Sequence, residues 1–354
     1  MIHSSVIRAG WAIIAVALLV ACSKDSPQGP GSSSNNNPPV IPPGGGSGSA
    51  LLEDFSSAQV LPASNWWNLE VTNAPVDPGS QAMIDWISGR TASNPTARQR
   101  LHPDMAPPPW GIPYVGVSGD APLSPVTFTS YGRESDAGAP GMPAGYPIPS
   151  EAKTQENYIE NSAPGGNTGG DRHMLLIDRD HWLLYELYQA HWNGSNWEAG
   201  SGAVFDLKSN YRRPEGWTST DAAGLAVFPG LVRHDEVVAS GPITHAFRVA
   251  TRATNGYVWP ASHEAGDTQG APPLGTRLRL KASKDISGYP ADVRKIFQAM
   301  KTYGLIIADN GGNMYVTGTM DPEWDNGVLN PAFHSLYADD FEVIRLGWGA
   351  TLSP

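Results

Sequence analysis

The segment DRHMLLIDRDHWLLYELYQAHW, residues 171–192, places proton-exchanging side chains inside two short apolar runs. A two-residue turn at Arg179-Asp180 would make Asp178 face His181 and, counting back, set His173 opposite Glu186 on adjacent antiparallel strands. Alternation then aligns Trp182, Leu184, Glu186 and Tyr188 on one side of the second strand. A carboxylate between aromatic rings and beside an imidazole can hold a sugar face and exchange a proton at a glycosidic oxygen. The same pattern also describes a half-buried strand whose acid pairs with His173 or Arg172.

A second constellation, TSTDAAGLAVFPGLVRHDEVVASGPITHAFR, spans residues 218–248 and gathers Asp221, Arg233, His234, Asp235, Glu236, His245 and Arg248. Asp221 heads a run of small residues that lets a ligand or another strand approach the backbone. Asp235 and Glu236 suit the first turn of a short helix closing at Gly241, where acids favour the helix dipole, so Asp221 and His245 rank above them. The expected roles are a carboxylate pair of Glu186 and Asp221, with His173 or His245 as proton acceptor. Trp182, Tyr188, Trp217, Trp259 and Arg172 are the expected substrate-binding residues.

Other polar positions carry weaker signals. His263-Glu264 lie in a Pro-flanked loop, and Asp309-Asn310 end a strand before Gly311-Gly312. Asp321, Glu323 and Asp325, with Asn326, offer alternating oxygen atoms to calcium. They lack the glycine and distal Glu of an EF-hand loop, so a solvated turn is favoured and no metal or organic cofactor is expected. G-x-S-x-G, H-E-x-x-H and Walker patterns do not occur, which removes the common serine-hydrolase, zinc-protease and nucleotide-binding signatures.

Short apolar runs punctuated by Gly and Pro predict a mainly β fold, an antiparallel sandwich or jelly-roll with about two helices and long loops. One helix is expected from a Ser80 cap to Gly89, the other from Pro290 to Gly304, where Val293, Ile296, Phe297, Met300 and Tyr303 recur at helical spacing. LIIADN and MYVTGT, flanking Gly311-Gly312, read as a hairpin.

The N-terminus has its own grammar. Arg8 precedes an apolar stretch from Trp11 to Ala21, too short to span a membrane, which ends in Leu19-Val20-Ala21-Cys22. This pattern resembles the lipobox of bacterial lipoprotein precursors. The resemblance implies cleavage before Cys22, acylation of Cys22 and, with Ser23-Lys24 following, an outer-membrane or cell-surface location. Residues 22–50 are rich in Ser, Asn, Pro and Gly and predict a disordered tether, leaving residues 51–354 as one globular domain. The blocks DRHMLLID and YGLIIADNGG and the loop from Asp221 to Glu236 resemble secreted bacterial proteins without assigned activity.

A formal charge of −11 disfavours nucleic acid and anionic bilayers as ligands, so the only expected membrane contact is the lipid. An exported, acidic, tethered domain that holds eleven of the chain's twelve tryptophans points to a saccharide. The expectation is a carbohydrate-active enzyme, a glycoside hydrolase or polysaccharide lyase, acting on an extracellular polysaccharide. Its alternative is a carbohydrate-binding or adhesin-like lipoprotein without chemistry.

Overall fold

The computed structural model describes residues 48–350 apart from 138–140, 142 and 168, so Cys22, the expected export segment and the expected tether up to residue 47 lie outside the described residues. In chain order the elements are β1 (Ala50–Leu51), α1 (Ser80–Ser88), β2 (His102–Ala106), β3 (Tyr114–Val117), β4 (Val126–Phe128), β5 (Met174–Asp178), β6 (Leu183–Tyr188), β7 (His191–Trp192), β8 (Trp197–Ala199) and β9 (Ser201–Asp206). Then follow α2 (His234–Val238), β10 (Phe247–Thr251), β11 (Arg277–Leu280), α3 (Ala291–Thr302), β12 (Leu305–Asn310), β13 (Tyr315–Met320), α4 (Asn326–His334) and β14 (Phe341–Val343).

The fold is mainly β, as expected, but its sheets are mixed and not antiparallel throughout. Five strands run in the order β1-β3-β5-β6-β9, six in the order β14-β11-β12-β10-β13-β2, and three in the order β4-β8-β7. The pairs β3/β5, β10/β12, β13/β2 and β4/β8 are parallel. Each is joined through a long connection, the only path that returns a strand in the same direction, and local residue patterns do not record it.

β5 is covered on both faces. Leu175 and Ile177, with Leu184 and Phe205, join a core shared with Phe247, Leu278, Ile306 and Val316 of the six-stranded sheet. Met174, Leu176, Tyr185, Leu187 and Val204 meet Tyr146 and Trp197 on the other side. A strand buried twice reads as an unbroken apolar run, which explains Met174-Leu175-Leu176-Ile177. α3 buries Val293, Ile296, Phe297 and Met300 against the shared core, and truncating Phe297 to Ala there would cost about 3–5 kcal/mol.

The first hairpin follows the predicted strands with a different register. Leu175 lies opposite Glu186 and Asp178 opposite Leu183, so the connection runs from Arg179 to Trp182 and not through two residues alone. Trp182 takes a positive φ of 57° and buries its ring, its Nε1 donating to Val60 O at 3.1 Å. His173 is therefore not opposite Glu186. Because the slip is two residues, both still belong to the face turned toward the six-stranded sheet.

Three further expectations change. LIIADN and MYVTGT do not pair as a hairpin, because β10 lies between β12 and β13. The intervening backbone is anchored to that inserted strand, Gly311 N donating to Thr251 O and Met314 N to Ala250 O. Among the described residues four α-helices replace the expected two. α2 is the short acid-led helix, while α4 was hidden by its internal Pro331 and starts at Asp325, whose carboxylate accepts from Gly327 N at 2.8 Å. Ser80 is the first residue of α1 and not its cap; its hydroxyl accepts from Val343 N at 2.9 Å, and the helix ends at Gly89 in the left-handed region. Ahead of Leu51, Ala50 pairs with Gly116, and Gly48 O accepts from Arg179 Nη1 at 3.1 Å.

Candidate functional site

The hairpin positions His173 just ahead of β5, where burial would expel a charge unless both ring nitrogens found acceptors. Nδ1 donates to Glu160 Oε2 at 2.7 Å, and Nε2 donates to the carbonyl of Thr220 at 2.9 Å. Glu160 comes from the long Gly- and Pro-rich segment and also accepts from the His173 backbone amide at 3.1 Å. Burial works against the imidazolium, but the adjacent Glu160 carboxylate outweighs it and raises His173 to about 9. Glu160, despite its own burial, is held below the usual carboxylate range by the same partner.

Thr220 links this pair to Glu186. Its hydroxyl donates to Glu186 Oε2 at 2.9 Å, while Val227 N and Phe228 N donate to Glu186 Oε1 at 2.8 and 2.9 Å. Glu186 is fully buried, and burial pushes its carboxyl up against the pull of those donors. All its described contacts are internal, so it clamps the backbone turn at 227–228 behind the cleft wall.

Asp221 also faces inward. Its Oδ1 accepts from Ala223 N at 3.0 Å, and its Oδ2 accepts from Arg248 Nε and Nη2 at 3.2 and 3.0 Å. Arg248, on β10, spends its remaining reach on Thr317 Oγ1 at 3.0 Å and lies 3.8 Å from Asp309 Oδ2. Burial raises both carboxyls, Asp309 to about 6, with Arg248 opposing the rise and Asp221 adding to it. Asp104 on β2 is also raised to about 6, by burial and by Glu160 and Asp171, against Arg248.

These groups surround a cleft of about 200 Å³ where the start of β5 and the end of β6 meet the end of β12. Its walls include Tyr131, Asp171, His173, Tyr188, Asp221, His263, Asp309 and Asn310, with Ser201 and Thr218 to Thr220 between them. His263 Nδ1 donates to Ala222 O at 2.9 Å, which leaves Nε2 as the open nitrogen of the ring. Asn310 Nδ2 donates to Ala265 O at 2.8 Å and ties the end of β12 to the His263 loop. An acid with a raised pKa and an imidazole with one open nitrogen thus share one cleft.

Of the residues singled out from sequence, His173, Asp221 and Tyr188 line this cleft. His245 does not; it pairs with Glu236 at 2.9 Å beside Arg233, around a separate cavity of about 70 Å³. Trp182 is in the core. Arg172 is buried and donates to Ala190 O at 3.1 Å and Pro164 O at 2.9 Å. Trp217 lies under the Arg213 guanidinium, and Trp259 packs edge-on against Trp66 at 6.2 Å. Asp321 and Asp325 accept from Glu323 N and Gly327 N, as turn and cap acceptors, and among the described residues no group of three or more His, Cys, Asp or Glu could hold a metal ion.

Glu160, Asp171 and Tyr131 were missed, and Asp309 and His263 underweighted. Asp309-Asn310 before Gly-Gly at a strand end was the available signal, since strand ends are where sheets expose polar groups. Comparison with family models, curated proteins and solved structures finds no match for this chain.

Proposed function

We propose that the cleft hydrolyses a glycosidic bond, with Asp309 as proton donor. The supporting observation is a cleft-lining carboxyl held up to about 6 next to an Asp221 already committed to Arg248. Such an acid keeps its proton up to about pH 6, well above an ordinary aspartic acid, as a general acid at a leaving oxygen must in mildly acidic solution. In the proposed step water attacks the anomeric carbon and gives its proton to His263 Nε2. The bond to the leaving oxygen breaks, its electron pair stays on that oxygen, and Asp309 protonates it. His173, neutralised by Glu160, positions Thr220 and the cleft wall. The rings of Tyr131 and Tyr188 offer flat apolar faces to a sugar.

Hydrolysis is favoured over elimination because a lyase acting on a uronate needs an uncommitted cation to meet the substrate carboxylate. Both cations described at this site, His173 and Arg248, already face Glu160 and Asp221. Acylation of Cys22 in the lipobox-like sequence would hold the domain outside the cell, where polysaccharide is met. Reducing-end release from a panel of neutral, amino and acidic polysaccharides tests the reading. Asp309→Asn and His263→Ala should abolish release, a rise in unsaturated uronate absorbance would replace hydrolase by lyase, and binding without product would leave a saccharide-binding module.

A further inference from the structure

The polar atoms at the cleft separate sharply by role. The hydroxyls of its wall are committed inward: Ser201 Oγ to Ser219 O at 2.7 Å, Thr218 Oγ1 to Asp221 O at 3.1 Å, Ser219 Oγ to Leu225 O at 2.6 Å and Thr220 Oγ1 to Glu186. Both hydrogens of the His173 ring are committed as well. The Tyr188 hydroxyl is turned to the carboxylate of Asp171. What remains toward the cleft, besides the acid of Asp309, is a pair of acceptors: the exposed carboxylate of Asp171 and His263 Nε2. Among the hydroxyls of the described lining residues the one on Tyr131 has no partner, and its ring is 43 % exposed.

A cleft whose hydroxyls are mostly committed and whose exposed, cation-free carboxylate is Asp171 selects a ligand that brings its own donors and positive charge. Hydroxyls supply the first; an ammonium supplies both, and it also gains from the faces of nearby aromatic rings. Resting on the reading of the cleft as a saccharide site, we infer that it carries a subsite for a protonated amine at Asp171, beside Tyr131 and Tyr188, and that the substrate is an amine-bearing saccharide. A uronate would set its carboxylate among acceptors and be repelled.

Calorimetric titration of the complete chain with glucosamine, N-acetylglucosamine, glucose and galacturonate oligosaccharides of equal length tests this, alongside a simple diamine. Expected is about tenfold tighter binding of the glucosamine oligomer than of its acetylated form, roughly 1.4 kcal/mol. Asp171→Asn, at an exposed position, should reduce that preference, read as the ratio of the two affinities measured on the same variant, to about twofold. Equal affinities, or a preference that survives Asp171→Asn, would overturn the amine subsite. If neutral oligomers alone are bound or cut, the saccharide site stands and the amine subsite falls. If only the diamine binds, and loses affinity in Asp171→Asn, the amine subsite stands and the saccharide site falls.

Discussion

Glu160→Gln removes a charge from the His173 pair and keeps an oxygen able to accept from Nδ1, so its effect isolates electrostatics. In the native chain His173 is raised to about 9 from an ordinary 6.5. At about 1.4 kcal/mol for each tenfold change in proton affinity, that corresponds to ~3 kcal/mol. The sign follows from the direction: a folded-state pKa above the unfolded value stabilises fully below 6.5, and the contribution fades as pH rises toward about 9. Without the Glu160 carboxylate, burial dominates and drives the imidazole toward neutrality. Glu160→Gln should therefore cost ~3 kcal/mol near pH 6 and far less near pH 10. Urea denaturation of both proteins across this range reads the difference directly, and other titrating groups cancel between them. A loss that is the same at both ends, or absent near pH 6, would refute the assignment of an ion pair to this contact.

Asp309→Asn should lower turnover at least about 100-fold with folding intact, and the native kcat/KM should decline as pH rises through about 6, where a required acid loses its proton; a profile flat across that range rules out this donor. Glu186→Gln should lower stability by roughly 2–4 kcal/mol and leave saccharide affinity nearly unchanged, because it presents an amide NH2 to amides that already donate; unchanged stability with abolished binding would return Glu186 to the site. A chain beginning at Gly48 should melt like the full length, whereas one beginning at Leu52 should melt lower, since it loses the Ala50 and Leu51 pairing with β3 and the Gly48 contact to Arg179; identical midpoints would show these contacts to be idle. Cys22→Ala should abolish incorporation of a fatty-acid analogue, and equal label in both proteins would exclude Cys22 as the acylation site.

The strands around His173 and Glu186 were legible because two short apolar runs, Met174–Asp178 and Leu183–Tyr188, flank the polar Arg179-Asp180-His181. Their register was not, since the positive φ of Trp182 and its burial against Val60 are set by tertiary contacts. An acid at an alternating position reads alike whether it faces a cleft or the core. What decides for Glu186 is the pair of amides at Val227 and Phe228, 41 and 42 residues away. The acids from Asp321 to Asp325 read as a loop because Asn326-Gly327 and Pro331 weaken the helical pattern that Asp325 in fact caps. The Glu160 partner of His173 sits in a segment of Gly and Pro without periodicity, so nothing local marked it.

The placement of β10 between β12 and β13 bears on how the molecule is made. Two strands adjacent in sequence cannot zip together first, because the position between them belongs to a strand emerging more than fifty residues earlier. The centre of the six-stranded sheet therefore closes through distant contacts, which are slow to form. Arg248 waits on β10 for an aspartate delivered by β12, so a nascent chain that has not yet produced β12 has no assembled cleft. The acid and its guanidinium neighbour meet only once the stretch between them, which carries β11 and α3, has been made.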